Sequence, residues 1–167
     1  MNNLMLFTDG SVNAKLKIGF GAYLLVANTE FEIENIKTQV KTKQFNETSS
    51  TKLELQTLLW ALREIPDLDC KLIIYSDSQN AINLLSRKER FEKNNFSSKK
   101  NQFICNHIFY KEFFSITENL NCKFIKVKGH KKFNQKDKVD RLFSIVDKAS
   151  RSALKKYIQN SLNTSLT

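Results

Sequence analysis

The sequence predicts a single α/β domain, in which a mixed five-stranded sheet combines an antiparallel meander with parallel strands and is flanked by helices. Three observations lead to this fold class. Short strand-like runs fill the first third of the chain, helical apolar spacing then alternates with short apolar runs, and 41% hydrophobic residues in a chain of 167 suffice for one core. We expect this domain to span residues 1–160, followed by a short C-terminal tail at 161–167.

The first three strands are expected to form the antiparallel meander at one edge of the sheet. Residues 4–8 (LMLFT) and 19–28 (GFGAYLLVAN) are apolar runs typical of buried strands. Residues 29–45 alternate roughly by two, which indicates a third, half-exposed strand.

Helices and buried strands alternate in the rest of the chain. Leucine and isoleucine recur at helical spacing over residues 51–65, and Pro66 ends that helix. Two further strands and three further helices follow, the strands at 71–77 and 122–127, and the helices at 78–86, at 103–116 and from Asp137 onward.

The composition favours a basic protein of the cytoplasm. Lysine and arginine number 27 against 17 acidic residues, a net charge of +10 that usually serves a polyanion such as nucleic acid. The alternative is a generally basic protein without such a partner. The three cysteines, Cys70, Cys105 and Cys122, are far apart and indicate reduced thiols of a cytosolic protein. We see neither a signal peptide nor an apolar run near the ~20 residues of a membrane helix, so we expect no membrane partner.

Two of the predicted strands end in the same way, as LMLFTD at Asp9 and as LIIYSD at Asp77. In neighbouring parallel strands these carboxylates would lie side by side at the edge where open α/β sheets bind ligands. Adjacent carboxylates repel each other unless a cation lies between them, and oxygen-only ligands favour Mg²⁺ or Mn²⁺. The simpler alternatives are an Asx turn at Asp9 and a helix N-cap at Asp77.

Two further acids are candidates on helices. Glu54 ends TKLE, which also matches a capping box, and this helix turn could instead lie at the site. In the last helix Asp140 and Asp147 share one flank about 10.5 Å apart, at 1.5 Å per residue, so only one can serve a compact site. We choose Asp140, because the first turns of this helix are expected nearest the carboxyl ends of the strands. Its alternative is a solvated residue paired with Lys136.

Taken together, these segments resemble type 1 ribonuclease H over residues 4 to about 154. The resemblance implies a ribonuclease H-like fold and places four carboxylates in the family's order, with a loop histidine before the last. The residues that carry it are Asp9 in TDGS, Glu54 in LELQTLLWAL, Asp77 in YSDSQ, and His130 and Asp140 in KVKGH…DKVDRL.

The resemblance implies an endonuclease that cuts the RNA strand of an RNA–DNA hybrid and leaves 3′-hydroxyl and 5′-phosphate ends. It implies two Mg²⁺ ions, with Mn²⁺ as a possible substitute. Asp9 would bridge both ions, Glu54 and Asp77 would hold one and Asp140 the other, while His130 would assist proton transfer or product release. We expect a monomer.

The basic stretch at 87–100 holds six lysines and arginines against two glutamates, and family members often grip the hybrid's phosphates here. The alternative is an ordinary solvated helix and loop. The resemblance implies substrate contacts from Gly10, Ser11 and Gln79 near the acids, and from Arg87, Lys88, Lys99 and Lys100 in the basic stretch.

Two rival functions remain open on the sequence. One is a non-catalytic nucleic-acid-binding module of the same fold, against which the four acidic positions argue. The other is a different nuclease of this superfold, such as an integrase or a junction resolvase, because fold alone does not settle the reaction.

Overall fold

The computed structural model describes residues 3–27, 33–65, 70–127 and 137–164. Its centre is a five-stranded sheet in the order β3-β2-β1-β4-β5. The first three strands pair antiparallel, whereas β4 runs parallel to β1 and β5 runs parallel to β4, so the mixed sheet predicted from the sequence is confirmed. The strands are β1 (Leu4–Asn13), β2 (Ile18–Ala27), β3 (Lys41–Phe45), β4 (Leu72–Ser76) and β5 (Cys122–Lys126).

Six α-helices and one short 3₁₀ turn at Leu85–Arg87 accompany the sheet in the described ranges. The long helix predicted at 51–65 is present with nearly the expected bounds. The helices are α1 (Ile33–Lys37), α2 (Ser50–Glu64), α3 (Gln79–Ile82), α4 (Lys88–Lys93), α5 (His107–Glu118) and α6 (Lys138–Thr164).

The prediction of one strand over 29–45 is wrong at residues 33–37. These residues form α1, whereas residues 41–45 pair with β2 as a strand. Ile36 is buried in the apolar cluster under α6, and its spacing of three from Ile33 suits a helical turn rather than a strand.

Two helix ends also differ from expectation. Helix α5 begins at His107 instead of residue 103, because Asn106 has a left-handed backbone conformation (φ 63°) that interrupts a helix. Helix α6 continues to Thr164, so residues 161–164 of the expected tail are helical.

The core has two layers, one on each face of the sheet. Along β1 the buried side chains alternate, so that Leu6 joins the cluster under α2 and α5 while Phe7 joins the cluster under α6. The ring of Phe7 stacks on that of Tyr75 in the parallel neighbour β4, with centroids 4.8 Å apart. Helices thus pack on both faces of the sheet.

Helix α2 lies unusually close to the sheet, because glycines face it. A Cβ atom on Gly21 would lie 2.1 Å from Thr57 Oγ1, and one on Gly10 would lie 2.9 Å from the side chain of Leu53. This close approach fixes the turn of α2 that carries Glu54 above the carboxyl end of β1. None of the described helices has the length and apolar character needed to cross a membrane.

Candidate active site

Asp9 and Asp77 come from adjacent parallel strands. The last parallel pair of β1 and β4 is Phe7 opposite Tyr75, and each aspartate follows its partner of that pair by two residues. The repeated strand endings therefore bring two carboxylates to the same edge of the sheet, as the sequence predicts.

The structure excludes the simpler local roles of these acids. Strand β1 continues to Asn13, so Asp9 is not in a turn. The N-cap of α3 is Ser78, whose Oγ accepts from the backbone N–H of Ala81, and the N-cap of α2 is Ser49. Neither Asp77 nor Glu54 caps a helix, so local capping does not explain why both acids lie at this edge of the sheet.

Glu54 turns from α2 toward the start of α3. Its Oε2 accepts a hydrogen bond of 2.5 Å from Ser78 Oγ. Burial raises the pKa of Glu54, Ser78 opposes that change, and the charge of Asp77 raises the pKa further. Ser78 thus caps α3 and orients Glu54 with the same hydroxyl group, a role the sequence did not indicate.

In α6, Asp147 lines the cleft with the other three acids, whereas Asp140 is not among the lining residues. Asp140 is only 5% exposed and forms a reciprocal cap with Asp137: Asp140 N–H donates to Asp137 Oδ1, and Asp137 N–H donates to Asp140 Oδ2. The choice of Asp140 over Asp147 does not match this arrangement.

The physical reason is the path of α6, whose middle rather than its first turn meets the end of β1. Ser150, in that middle part, donates a 2.8 Å hydrogen bond to Asp9 Oδ2. The D-x-x-D spacing of Asp137 and Asp140 was the sequence signal that Asp140 caps the helix. No comparable signal pointed to Ser150, because serine inside a helix usually bonds only to its own backbone.

The cleft between these residues has a volume of about 310 Å³ and is electrostatically unbalanced. Burial raises the pKa of Asp9 to about 6, and the charges of Asp77 and Asp147 act in the same direction. Hydrogen bonds from Ser150 and from the Gly10 backbone oppose the change. Arg151 also lines the cleft and pairs with Asp147 at 2.7 Å. Four acids therefore line the cleft together with one basic side chain, which lies on the side of Asp147.

The donor chemistry of the cleft fits a hard divalent cation. Its acidic side chains offer only oxygen atoms, which Mg²⁺ and Mn²⁺ prefer. The Thr57 hydroxyl in the same lining is buried and has no hydrogen-bond partner in the described part of the chain. Among the described residues, no group of three or more acidic, histidine or cysteine side chains lies close enough together to form a complete metal site. Asp9, Glu54, Asp77 and Asp147 would hold such an ion.

The other predicted site residues are spread over two regions. Gly10 and Ser11 line the acidic cleft. Gln79 lies exposed at the start of α3, where it accepts a hydrogen bond from Lys126 and donates one to Asn83. His130 lies outside the described residues.

The predicted basic contacts lie away from this lining. Arg87 donates to Asn80, and Lys88 pairs with Glu92 and Glu118. Lys99 and Lys100 are exposed on the loop after α4.

Fold and site together define a class: an α/β protein with an acidic cleft at the carboxyl edge of a mixed five-stranded sheet. Residues 1–147 match the family model described as RNase H, so the chain belongs to the RNase H family.

Similar proteins agree with this assignment. The chain is 27% identical to the ribonuclease H of Clostridium botulinum over 145 residues, covering 85% of this chain and 93% of that protein. It is 29% identical to the ribonuclease H of a Thermoanaerobacter species over 140 residues, covering 82% and 84%. These named relatives support a nuclease.

Solved structures agree on the fold. LC9-RNase H1, described as a type 1 RNase H with the type 2 active-site motif, superposes with a TM-score of 0.68 at 13% identity, covering 91% of this chain and 72% of that one. A foamy viral protease-reverse transcriptase in complex with double-stranded DNA gives a TM-score of 0.61 at 8% identity, covering 90% and 94%.

Proposed function

We propose that this protein is an endonuclease that hydrolyses the RNA strand of RNA–DNA hybrids with two Mg²⁺ ions, and that it leaves 3′-hydroxyl and 5′-phosphate ends. The observation that carries the proposal is the gathering of Asp9, Glu54, Asp77 and Asp147 in one cleft from four different elements. Family membership supplies the reaction class.

Asp147 takes the place of Asp140 in this proposal. Asp140 is engaged in capping α6, whereas Asp147 borders the cleft and its charge acts on Asp9. The ions, when bound, supply positive charge that activates a water molecule and stabilises the leaving oxygen. Mn²⁺ is the expected substitute.

The chain's own residues prepare the cleft for that chemistry. Ser150 and Ser78 hold Asp9 and Glu54 by one hydrogen bond each, which fixes two oxygen donors before any ligand arrives. Asp9 has a pKa of about 6, so most of it is ionised at neutral pH, and repulsion from Asp77 and Asp147 favours uptake of a cation. His130, by the family resemblance, would assist proton transfer.

Exposed cations provide the grip on the substrate. Lys99 and Lys100 would contact phosphates without reading sequence, and Gly10, Ser11 and Gln79 lie near the acids where the RNA strand would pass. RNA is recognised over DNA by its 2′-hydroxyl groups across a wide minor groove. The net charge of +10 supports a polyanionic partner.

The test is an incubation of the protein with a hybrid labelled on either strand, with Mg²⁺, with Mn²⁺ and with a chelator. Single-stranded RNA, duplex DNA and a four-way DNA junction run beside it. We expect metal-dependent cutting of the hybrid's RNA strand alone, with products that a 5′-phosphate-dependent exonuclease degrades. Binding without cutting in either metal would favour the non-catalytic module, and cutting of the junction would favour a resolvase.

A further inference from the structure

Phe103 and His107 form an exposed ring stack just before and at the start of α5. Their ring centroids lie 4.4 Å apart and their planes differ by only 11°. Phe103 remains 62% exposed, which is unusual for a large apolar side chain. The stack does not contribute to the acidic cleft, and the core clusters do not include it.

The ring stack is held by a folded loop. Phe103 forms an isolated antiparallel bridge with Ser97, and the N–H of Ser98 donates to the carbonyl of Gln102 at 2.7 Å. His107 Nδ1 lies 3.2 Å from the carbonyl of Ile104. The rings are therefore arranged in advance, so a partner that stacks on them loses little conformational entropy.

Positive charge surrounds the ring stack. The Nζ atom of Lys111 lies 5.5 Å from the centroid of Phe103 and 5.1 Å from that of Phe96. Lys99 and Lys100 are exposed in the loop that carries Phe103. An exposed aromatic face beside several lysines matches a base and its phosphates better than it matches an apolar protein surface.

The ring stack also lies on the flank of the molecule that carries Glu54. Lys52 in the first turns of α2 lies over the ring of Phe109 in the first turn of α5, at 5.9 Å. Ser50 and Glu54, on those turns of α2, line the acidic cleft. The beginnings of the two helices are thus neighbours, and a strand leaving the cleft on this side passes the start of α5.

We propose that Phe103 and His107 bind an unpaired base of a single strand that continues from the hybrid. This inference rests on the proposed function for the source of that strand. The ring face accepts any base, because every base has a flat π-surface, and the lysines bind its phosphates. The enzyme would therefore bind hybrids with a single-stranded extension more tightly than blunt ones.

The experiment compares affinities in chelator, where no cutting occurs, for a blunt hybrid, the same hybrid with an RNA extension, one with a DNA extension, and a free single strand. Fluorescence anisotropy gives the dissociation constants, and 2-aminopurine in the extension reports stacking by its quenching. We expect an extension to tighten binding about tenfold, the lower range for one stacked base. The RNA and DNA arms tell which strand supplies the base.

Three variants test the role of Phe103. Phe103→Leu keeps apolar surface but removes the ring, and it should abolish both the gain and the quenching while the blunt hybrid binds as before. Ile108→Ala, at an equally exposed position (66%), should change neither, and Phe103→Trp should retain both. An extension without effect on the wild type, or equal losses in Phe103→Leu and Ile108→Ala, would overturn the proposal.

Failure of the proposed function gives a separate result. In that case the hybrid is not cut in Mg²⁺, yet binding of the free single strand still depends on Phe103 if the ring stack is a base site. A dimer in sedimentation that Phe103→Leu dissociates, with no effect of any extension, would assign the ring stack to a second copy of the chain and overturn the inference.

Discussion

Helix α2 carries a glutamate near each end, and the two lie in opposite surroundings. Glu64, in the last turn, accepts hydrogen bonds from Tyr23, Lys41 and Trp60, which lower its pKa to about 2. Glu54, near the first turn, has one donor in Ser78 and an acidic neighbour in Asp77, and burial raises its pKa.

The comparison separates a carboxylate whose charge is balanced by hydrogen-bond donors from carboxylates whose charge is not. Glu64 links β2, β3 and α2, because each of these elements supplies one of its three hydrogen-bond donors. These donors balance the charge of its carboxylate. In the cleft the acidic side chains outnumber the hydrogen-bond donors, which costs stability. The packed core around β1 nevertheless holds these side chains in place. A shortage of hydrogen-bond donors, rather than the presence of acids, therefore distinguishes the end of α2 that carries Glu54.

The largest effect should follow from Asp9→Asn, which removes a charge at the centre of the cleft. We expect cleavage of the hybrid to fall about a thousandfold or more, because the amide is a poor ligand for Mg²⁺. Binding in chelator should stay equal or tighten, since repulsion toward phosphate is reduced. Glu64→Gln is the matched carboxylate-to-amide change and should leave the rate intact; near-normal cleavage by Asp9→Asn would refute the site.

The second prediction compares two aspartates on α6. Asp147→Asn should lower the rate about a hundredfold with little change in melting temperature. Asp140→Ala should do the reverse, costing about 1 kcal/mol of stability through the lost cap acceptor while cleavage persists. Rates and thermal unfolding of both variants decide the matter, and the opposite outcome would restore Asp140 as the ligand.

That pair also marks the limit of what the sequence could predict. The alternation of apolar runs predicted the sheet, and the repeated endings at Asp9 and Asp77 predicted which edge carries the acids. The sequence favoured Asp140 over Asp147, because the first turns of the last helix were expected nearest the strand ends, but which aspartate borders the cleft depends on where α6 crosses the sheet. That crossing is decided by packing of Leu142 and Val146 on the face of β1, a tertiary effect that helical periodicity does not contain.

Residues 33–37 teach the same lesson about local structure. Glutamate alternates with Phe31 and Ile33 over residues 30–34 as in an edge strand, yet burial of Ile36 against the α6 layer favours a helical turn. Tertiary packing overrode a two-residue pattern that was too short to be decisive.

The third prediction concerns stability without metal, where the two regions should respond to pH in opposite directions. Asp9 has a folded pKa of about 6 against 3.8 unfolded, so the folded state holds the extra proton and stability falls as pH rises from about 4 to 6. The decline amounts to about 2 kcal/mol, allowing for partial exposure. Glu64 has its pKa lowered from 4.5 to about 2, so its contribution is present above pH 4.5 and lost as pH falls.

Denaturant unfolding in chelator across this pH range tests both signs. Asp9→Asn should remove most of the decline between pH 4 and 6, leaving the part that the raised pKa of Glu54 contributes, and make the metal-free protein more stable at neutral pH. Glu64→Gln should remove only the loss at acidic pH. A wild type whose stability rises from pH 4 to 6 would contradict the electrostatic account of the cleft.

The fourth prediction tests whether a hydrogen bond to a cleft carboxylate contributes to metal binding and to the rate of cleavage. Ser150→Ala removes the hydroxyl that holds Asp9, and we expect about tenfold weaker Mg²⁺ affinity by calorimetry and a similar loss of rate. Ser144→Ala is the matched control, because its hydroxyl donates to the carbonyl of Asp140 on the same helix, away from Asp9. In an Asp9→Asn background the Ser150 change should have no further effect on the metal, and equal losses in both backgrounds would contradict a role through Asp9.

The smallest expected effect concerns exposed lysines and their contribution to hybrid binding. It compares a lysine paired with carboxylates to lysines without such partners. Lys88 pairs with Glu92 and Glu118, whereas Lys99 and Lys100 make no ion pair in the part of the chain that the structure describes. Lys99→Gln with Lys100→Gln should weaken hybrid binding about fivefold and reduce the slope of log affinity against log salt by about one to two. Lys88→Gln should change that slope less, because internal carboxylates already neutralise its charge. An unchanged slope in the double variant would mean that this loop does not contact the substrate's phosphates. Other basic residues would then bind them.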